Sequence, residues 1–311
     1  MPRSVSPTAD ELFDAAFLQA VQRLRLVAAR VPRGGRYAEQ RSEAKGQGIE
    51  FRDFRPYTPG DDLRGVDWNI YRRLGRVFLR LFEEQEDLPV YLLPDLSMSG
   101  YVAEGAMLRA HVGLRVALAV GAVALGEHDA VGVLPIGEDV ELAVRPTSGA
   151  DRLHFLAERL AALEPGGGTD LAHSLERFGA LGLRRGLAVV ISDFFDPAGL
   201  AGVLASAARL RHKLLFVHLW RPADAAPDPA VFTGDVRLVD AEAGALGAGE
   251  GHLDLFVDDD VRARYAQAFA AFEAELHDFA LKRQVGYLKL DVEGDVVEQL
   301  ATLFEGGRFA V

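Results

Sequence analysis

The chain has 311 residues, a formal net charge of −12 and no cysteine. The missing cysteines exclude disulfides, thiolate zinc sites and a cysteine nucleophile, and the acidic balance argues against general binding to nucleic acid or anionic membranes. Hydrophobic residues make up 49% of the chain, as in a globular protein that buries a large core.

The N-terminal segment predicts an amphipathic helix over residues 9–31. Apolar residues recur there at intervals of three and four, and Pro32 ends the pattern. The segment has acidic residues where a secretory signal needs an apolar run. The most apolar later stretch, Val116 to Leu125, is too short to span a bilayer. We therefore expect a cytoplasmic protein without stable membrane insertion.

Residues 31–68 predict an irregular arm, because glycine, proline and charged residues mix there without a long period. The alternation from Arg76 to Glu84 then predicts a strand. Aspartates of the arm can cap a short helix or pair with arginines, so we favour a structural role for it over partner docking. The arm residues that we single out for one of these two roles are Arg55, Asp62, Asp67 and Trp68.

From residue 89 onward, predicted strands and helices alternate. Four apolar runs bounded by turn residues predict strands, namely PVYLLPDL, DAVGVLPIG, GLAVVISDFF and HKLLFVHLW. Helical patterns cover residues 104–126, 150–163, 170–182 and 197–210. Residues 222–258 are less regular and suggest short strands around a glycine-rich connection. A helix over 260–281, a strand in QVGYLKLDV and a helix from about Asp295 complete the chain.

Strands that are apolar on both faces and alternate with helices indicate an α/β fold. We expect three layers, with a mainly parallel sheet covered by helices on both faces, as in von Willebrand A and Rossmann-like domains. The N-terminal helix and the irregular arm are additions to this core. We accordingly divide the chain into residues 1–85, the helix and arm, and residues 86–311, the α/β domain.

Polar residues follow the predicted strands and a glycine-rich loop. Asp95 comes directly after one strand and is followed by Ser97 and Ser99, while Asp193 comes after another strand. Thr169 ends the glycines of the loop EPGGGTDL. The carboxyl ends of parallel strands meet at one edge of a sheet, where ligands bind. Carboxylate and hydroxyl oxygens are the ligands that Mg²⁺ and Mn²⁺ prefer, so the set predicts a metal site.

Each residue of this set also has a simpler explanation. Asp95 or Thr169 alone can be a helix cap, and Ser97 and Ser99 alone can be loop residues. For any single residue we favour the structural explanation, and for the whole set we favour the metal.

Enzyme signatures are mostly missing from the sequence. It lacks the Gly-x-Ser-x-Gly elbow of hydrolases and the Gly-Lys-Ser/Thr of a phosphate-binding loop. Dehalogenase-type phosphotransfer needs a carboxylate two residues after the nucleophilic aspartate, where this chain has Ser97. A Mg²⁺-dependent phosphoester hydrolase stays open as the alternative, although no general base is evident.

The order Asp-x-Ser-x-Ser, then Thr, then Asp resembles the metal-ion-dependent adhesion site of von Willebrand factor A-like domains. The residues that carry the resemblance are Asp95, Ser97, Ser99, Thr169 and Asp193. The resemblance implies that the serines and the threonine bind Mg²⁺ or Mn²⁺ directly or through water, and that the aspartates hold waters and orient the shell. An ion with few direct negative ligands would accept a carboxylate from a protein partner.

The arm carries a second resemblance. The stretch GQGIEFRDFRPYTPGDDLRGVDW is similar to the bacterial family catalogued as "domain of unknown function 58". That family joins such an arm to a von Willebrand A-like core, and its genes commonly lie beside those of MoxR-type AAA+ ATPases. The resemblance implies a metal-dependent protein-binding adaptor, without enzymatic activity, that works with such an ATPase on a client protein. Many members carry N-terminal membrane helices, which this sequence does not predict.

Overall fold

Two units make up the chain, and a computed structural model describes residues 7–28, 50–57, 66, 68–83, 89–102, 107–240, 242 and 251–305 of it. One unit comprises Met1–Val31 with Leu88–Phe309, and the other comprises Pro32–Asp87 with the last two residues. The sequence-based division at residues 85 and 86 places the N-terminal helix with the arm. In the structure this segment belongs to the α/β unit, because its apolar side chains Phe17, Val21 and Leu24 are buried in the same core cluster.

Helices and strands alternate along most of the described chain. The helices are α1 (Ala9–Leu12), α2 (Ala15–Ala28), α3 (Trp68–Leu74), α4 (Arg109–Gly126), α5 (Leu153–Ala161), α6 (Leu171–Ala180), α7 (Leu200–Ala207), α8 (Pro222–Ala225), α9 (Asp259–Arg283) and α10 (Val296–Glu305). The strands are β1 (Glu50–Pro56), β2 (Phe78–Glu83), β3 (Val90–Pro94), β4 (Val131–Val133), β5 (Val144–Thr147), β6 (Leu187–Ser192), β7 (Lys213–Trp220), β8 (Gly234–Val239), β9 (His252–Val257) and β10 (Gly286–Asp291). Short 3-10 turns cover Met98–Tyr101 and Ala150–Arg152.

The α/β unit is built on a six-stranded sheet with the order β10-β7-β6-β3-β4-β5. Neighbouring strands run parallel except for β5, which runs antiparallel to β4 at the edge. This confirms the predicted mainly parallel α/β sheet. The sequence analysis did not predict β5, because four residues that include Pro146 give too short an apolar pattern to recognise.

Two hydrophobic clusters cover the two faces of this sheet. In β3, Val90 and Leu92 belong to one cluster, and Tyr91 and Leu93 belong to the other. Helices α1, α2, α4, α5 and α10 contribute to the first cluster, while α6, α7 and α9 contribute to the second. The central strands are therefore buried on both sides, which explains their continuous apolar sequences and confirms the three layers.

Helix α4 is long, apolar and almost entirely buried. Among the helices of the described ranges, it alone is long and apolar enough to cross a membrane by length and composition, with 18 residues and a mean hydropathy of 1.3. The apolar stretch from Val116 to Leu125 forms only its second half. In this fold 78% of the helix is buried, so its apolar composition is that of the central helix in one layer.

The N-terminal segment forms two helices instead of the predicted single one. Thr8 and Glu11 form a reciprocal capping box that starts α1. Asp14 Oδ1 then accepts a hydrogen bond from the Phe17 N–H at 2.9 Å, which starts α2. The prediction of one helix was wrong because a polar residue that caps a new helix interrupts the pattern. Residues 29–31 of the predicted helix lie outside the described residues.

The second unit contains more regular structure than an irregular arm. Strand β1 pairs antiparallel with β2, and α3 lies between them in the chain. The strand predicted from Arg76 to Glu84 is thus present as β2. Arg55 belongs to β1 and Trp68 begins α3, whereas Asp62 and Asp67 lie outside the described residues.

The segment from residue 222 to 258 contains a separate antiparallel pair, β8 and β9. In this pair Leu238 lies opposite Leu253, and the Arg237 guanidinium bonds the Asp254 carboxylate at 2.6 Å and 3.0 Å. The short strands predicted here are therefore present. The connection between β8 and β9 includes Glu242, whose carboxylate bonds Thr169.

Close packing at the start of β6 predicts a sensitive position at Gly186. A Cβ atom there would lie 2.0 Å from the carbonyl oxygen of Pro89, so β3 and β6 would have to move apart. We expect Gly186→Ala to lower the free energy of unfolding in urea by about 3 kcal/mol, the upper part of the range for overpacking. Gly202→Ala is the matched control, because its Cβ meets nothing closer than 3.8 Å and alanine favours the helix by up to about 1 kcal/mol. Equal unfolding midpoints for wild type and Gly186→Ala would contradict this packing.

Candidate functional site

The two predicted aspartates lie side by side at one edge of the sheet. Asp95 follows β3 and Asp193 follows β6, and these strands are parallel neighbours. The strand order reverses between them, since the chain continues from β3 to β4 on one side and from β6 to β7 on the other. This is the position at which open α/β sheets bind ligands. The structure thus brings the two acids together as predicted.

Ser97 and Ser192 bond the Asp95 carboxylate, and Ser99 bonds Ser97. Asp95 Oδ1 accepts a hydrogen bond from the Ser97 backbone N–H at 3.0 Å, and Ser97 Oγ lies 3.0 Å from Ser99 Oγ. Ser192 Oγ donates to Asp95 Oδ2 at 2.5 Å and accepts from the Phe194 N–H at 2.9 Å. Ser192 was not among the predicted site residues. Its position directly before Asp193, at the end of a predicted strand, was the available signal.

Asp193 forms a buried ion pair with Arg109, the first residue of α4. Arg109 Nη1 donates to Asp193 Oδ2 at 2.5 Å, and Nη2 donates to the two carboxylate oxygens of Asp224 at 2.8 Å and 3.0 Å. The three side chains are only 11% to 13% exposed. Asp193 is therefore fixed and its charge is balanced from within the chain. Nothing in the sequence pattern marks Arg109 or Asp224, which tertiary packing brings to the site from α4 and α8.

One small cleft joins these groups. Its volume is about 10 Å³, which is about the space that one water molecule needs. Ser99 is exposed and does not line the cleft, but its hydroxyl bonds that of Ser97, which does. The lining residues are Asp95, Ser97, Gly100, Arg109, Ala110, Ser192, Asp193 and Leu219.

The glycine loop adjoins the serine loop, but Thr169 does not line the cleft. The Gly166 N–H donates to the Leu96 carbonyl at 2.8 Å, and the Met98 N–H donates to the Gly167 carbonyl at 2.9 Å. Thr169 instead bonds a carboxylate from the β8–β9 connection. Its N–H donates to Glu242 Oε2 at 3.0 Å, and its Oγ1 donates to Oε1 at 2.5 Å.

Thr169 is not the cap of the helix that follows it. Asp170 caps α6, since its carboxylate accepts from the His173 N–H at 2.8 Å. Asp196, from the loop after Asp193, accepts from the Leu171 N–H at 2.8 Å. The alternative explanation of Thr169 as a helix cap was therefore wrong. Asp196, which the sequence analysis missed, ties the loop of Thr169 to the loop of Asp193.

Burial makes the two acids harder to ionise. Burial, and then the neighbouring charge of Asp193, raise the pKa of Asp95 to about 6, although the hydrogen bonds from Ser192 and Ser97 oppose this. Burial also raises the pKa of Asp193 against the attraction of Arg109. A cation between two such carboxylates would favour their ionised forms.

The oxygen atoms around the cleft are suitable ligands for a hard cation, and few of them carry a negative charge. Within the described ranges, no group of three or more His, Cys, Asp or Glu side chains is arranged to hold a metal. A metal here would therefore depend on hydroxyl oxygens as well as carboxylates. The side chains of Asp95, Ser97 and Ser99 supply such oxygens in one loop, with Ser192 behind them. All these groups are of the kind that Mg²⁺ accepts.

Comparison with known proteins gives a family match. The model of the family described as "Protein of unknown function DUF58" matches residues 53–275. An uncharacterized protein of Mycobacterium tuberculosis, Rv1480, is 28% identical over 235 residues, which is 74% of this chain and 71% of that protein.

Two solved structures are similar to this chain at low identity. BatB, a conserved hypothetical protein from Bacteroides thetaiotaomicron, is 16% identical with a TM-score of 0.41, over 72% of this chain and 98% of that chain. An aerotolerance-related membrane protein from Bacteroides fragilis is 16% identical with a TM-score of 0.42, over 70% and 97% of the two chains.

The raised pKa of Asp95 predicts a pH-dependent stability. Between the ordinary value of 3.8 and the folded value of about 6, the folded protein binds more protons than the unfolded chain. The free energy of unfolding attributable to Asp95 therefore falls as the pH rises through this window and levels off above it. Asparagine does not titrate, so Asp95→Asn should not show this decrease in the free energy of unfolding. In EDTA we therefore expect the free energy of unfolding of the variant to rise by up to about 3 kcal/mol relative to that of wild type between pH 4 and pH 7.

Urea unfolding of both proteins at four pH values across this window measures the difference. His218, whose pKa burial lowers to about 3, changes stability in the opposite direction but does so in both proteins. Parallel curves for wild type and Asp95→Asn would contradict the raised pKa.

Proposed function

The chain belongs to the DUF58 family, and on that premise we propose that it is a divalent-metal-dependent protein-binding adaptor. The observation that carries the proposal is the cleft between β3 and β6. It places Asp95, Ser97 and Asp193 around a space of about 10 Å³ at the ligand-binding edge of the sheet.

In this proposal five residues hold Mg²⁺ or Mn²⁺. A bound ion would supply an electrophilic centre that accepts a carboxylate from a protein partner. Ser192 orients Asp95 through a hydrogen bond, and Arg109 balances the charge of Asp193. Few uncompensated negative charges then face the ion, which favours a further carboxylate from outside. Three of the five, Asp95, Ser97 and Asp193, line the cleft. The other two, Ser99 and Thr169, do not line it and would reach the ion directly or through water from the serine loop and the adjoining glycine loop.

The site supports binding more than catalysis. The order of its donors resembles the metal-ion-dependent adhesion site, and the space in the cleft is about that of one water molecule or small ion. The carboxylate of Asp95 already accepts two hydrogen bonds within the chain. We therefore propose that the protein is not an enzyme, with a Mg²⁺-dependent phosphoester hydrolase as the alternative outcome of the test below.

The partners in this proposal come from the family resemblance of the arm. We propose a MoxR-type AAA+ ATPase and a client protein that the pair assembles or remodels, in the cytoplasm and without nucleic acid or stable membrane insertion. The arm residues Arg55, Asp62, Asp67 and Trp68 either maintain the arm's fold or dock the ATPase.

Metal binding is the first test of this function. We expect Mn²⁺ to bind the purified protein in titration calorimetry, and Ser97→Ala/Ser99→Ala to lower the affinity at least about 10-fold because two hydroxyl oxygens are lost. Ser148→Ala, at an exposed serine in the loop after β5, is the control and should bind as wild type does. Equal affinity in wild type and the double variant would contradict the assignment.

Binding and turnover assays on the same protein samples distinguish an adaptor from an enzyme. An adaptor should bind a purified MoxR-type ATPase of the same organism, or the client that this ATPase presents, only without EDTA, while its circular dichroism stays unchanged in EDTA. Phosphoester turnover with Mg²⁺ alone that disappears in Asp95→Ala, with no metal-dependent binding to the ATPase, would favour the hydrolase.

The arm has a test of its own. We expect Trp68→Ala to lower the melting temperature or to abolish ATPase binding, because a large aromatic residue that supports a fold or an interface contributes through its buried area. Calorimetry and a binding assay with the purified ATPase measure the two effects. An unchanged variant in both assays would remove both proposed roles of the arm.

A further inference from the structure

Glu242 bonds Thr169, one of the five residues of the proposed metal site, although the two lie 73 residues apart in the chain. Both of its carboxylate oxygens are used, because one accepts the Thr169 N–H and the other accepts the Thr169 hydroxyl. Such a two-point contact fixes the direction of the threonine side chain. Hydrogen bonds to a carboxylate are also stronger than those between neutral groups.

Glu242 is itself held in place by the end of β8. Its N–H donates to Asp240 Oδ1 at 2.8 Å, immediately after the strand. The side chain is partly buried. The residue that bonds Thr169 is therefore itself bonded to the residue that follows β8.

The loop of Thr169 has other anchors, but they bond the backbone. Leu96 and Met98 bond Gly166 and Gly167 on one side, and Asp196 accepts from the Leu171 N–H on the other. Within the described part of the chain, Glu242 is the residue that bonds the Thr169 hydroxyl. It therefore controls the one atom that the proposed function requires of Thr169.

We propose that Glu242 is a positioning residue of the metal site. A hydroxyl has one hydrogen to donate and two lone pairs that can accept. When Glu242 takes the hydrogen, the lone pairs of Thr169 Oγ1 stay available for a cation or for a water bound to it. This inference rests on the proposed metal-binding function.

The contact has a consequence for the organisation of the unit. The β8–β9 pair is otherwise separate from the six-stranded sheet, and Leu253 and Phe256 on it are 62% and 65% exposed. Through Glu242, this pair becomes part of the metal site and does not serve only as a surface addition. A variant at Glu242 should then act on metal affinity through Thr169.

The test is a double-mutant cycle with Mn²⁺ as the probe. Glu242→Gln keeps the size of the side chain but turns an N–H₂ group toward one donor of Thr169 and removes the charge. We expect it to lower the Mn²⁺ affinity about 10-fold in calorimetry, as for other partners that orient a metal ligand. Thr169→Val should lower the affinity as well. The double variant should bind no more weakly than Thr169→Val alone, because Glu242 acts through the threonine.

Two controls separate this role from a structural one. Glu275→Gln removes the same charge from an exposed position on α9 and should bind Mn²⁺ as wild type does. Glu242→Asp keeps the carboxylate and should recover part of the affinity. A merely structural residue would instead lower the melting temperature in EDTA without the coupling to Thr169.

The possible results are distinct. If wild type binds no Mn²⁺, the proposed function fails and this inference fails with it. If wild type binds and Glu242→Gln binds equally well, only the inference fails. Tighter binding by Glu242→Gln would also overturn it, because Glu242 would then compete with the ion for Thr169. Additive effects of the two substitutions would show that Glu242 does not act through the threonine.

Discussion

The parallel pairing of β3 with β6 is the constraint on which the candidate site depends. The pairing continues one residue beyond the end of β3, since the Asp95 N–H donates to the carbonyl of Ile191 in β6 at 2.9 Å. Because the strands are parallel, their carboxyl ends coincide, and the residues that follow them must share one edge. Burial on both faces fixes this pairing, since Tyr91 and Leu92 lie in opposite clusters and a slip by one residue would exchange their environments.

Placing two carboxylates at the end of buried strands is unfavourable unless they are compensated. The chain compensates them in different ways. Asp95 receives hydrogen bonds from Ser97 and Ser192, while Asp193 receives a charged partner, Arg109. Removing one member of a buried ion pair usually destabilises a protein by more than the intact pair stabilises it, because the remaining charge is left without a partner. The neighbouring groups therefore hold both carboxylates in fixed orientations.

The loop after β6 has a strained backbone. Phe194 has a φ of 61°, in the left-handed region that a bulky residue rarely adopts. Its ring is buried 4.9 Å from that of Phe216, which holds the residue in place. This conformation also lets the Phe194 N–H reach Ser192 Oγ. Strain of this kind persists where surrounding packing determines it, and it is common at functional sites. Core packing and site geometry are thus coupled in this loop.

The sequence by itself determined the α/β class, the mainly parallel sheet and the edge at which Asp95 and Asp193 meet. These features follow from local information, because continuous apolar runs identify doubly buried strands and the residue after each strand is read directly. Short elements and helix boundaries were harder to predict. Strand β5 has only four residues, and the boundary between α1 and α2 depends on a single capping residue, Asp14.

The tertiary structure decided which groups complete the site. Arg109 reaches Asp193 with Asp224 behind it, and Asp196 and Glu242 reach the loop of Thr169. These groups come from separate helices and loops, and no spacing in the chain records their proximity. It also decided that Thr169 faces Glu242, because a hydroxyl bonds whichever acceptor the fold brings near it. Residue types therefore determine which oxygen groups are available at this edge of the sheet, whereas long-range packing determines which hydrogen bonds and ion pairs those groups form.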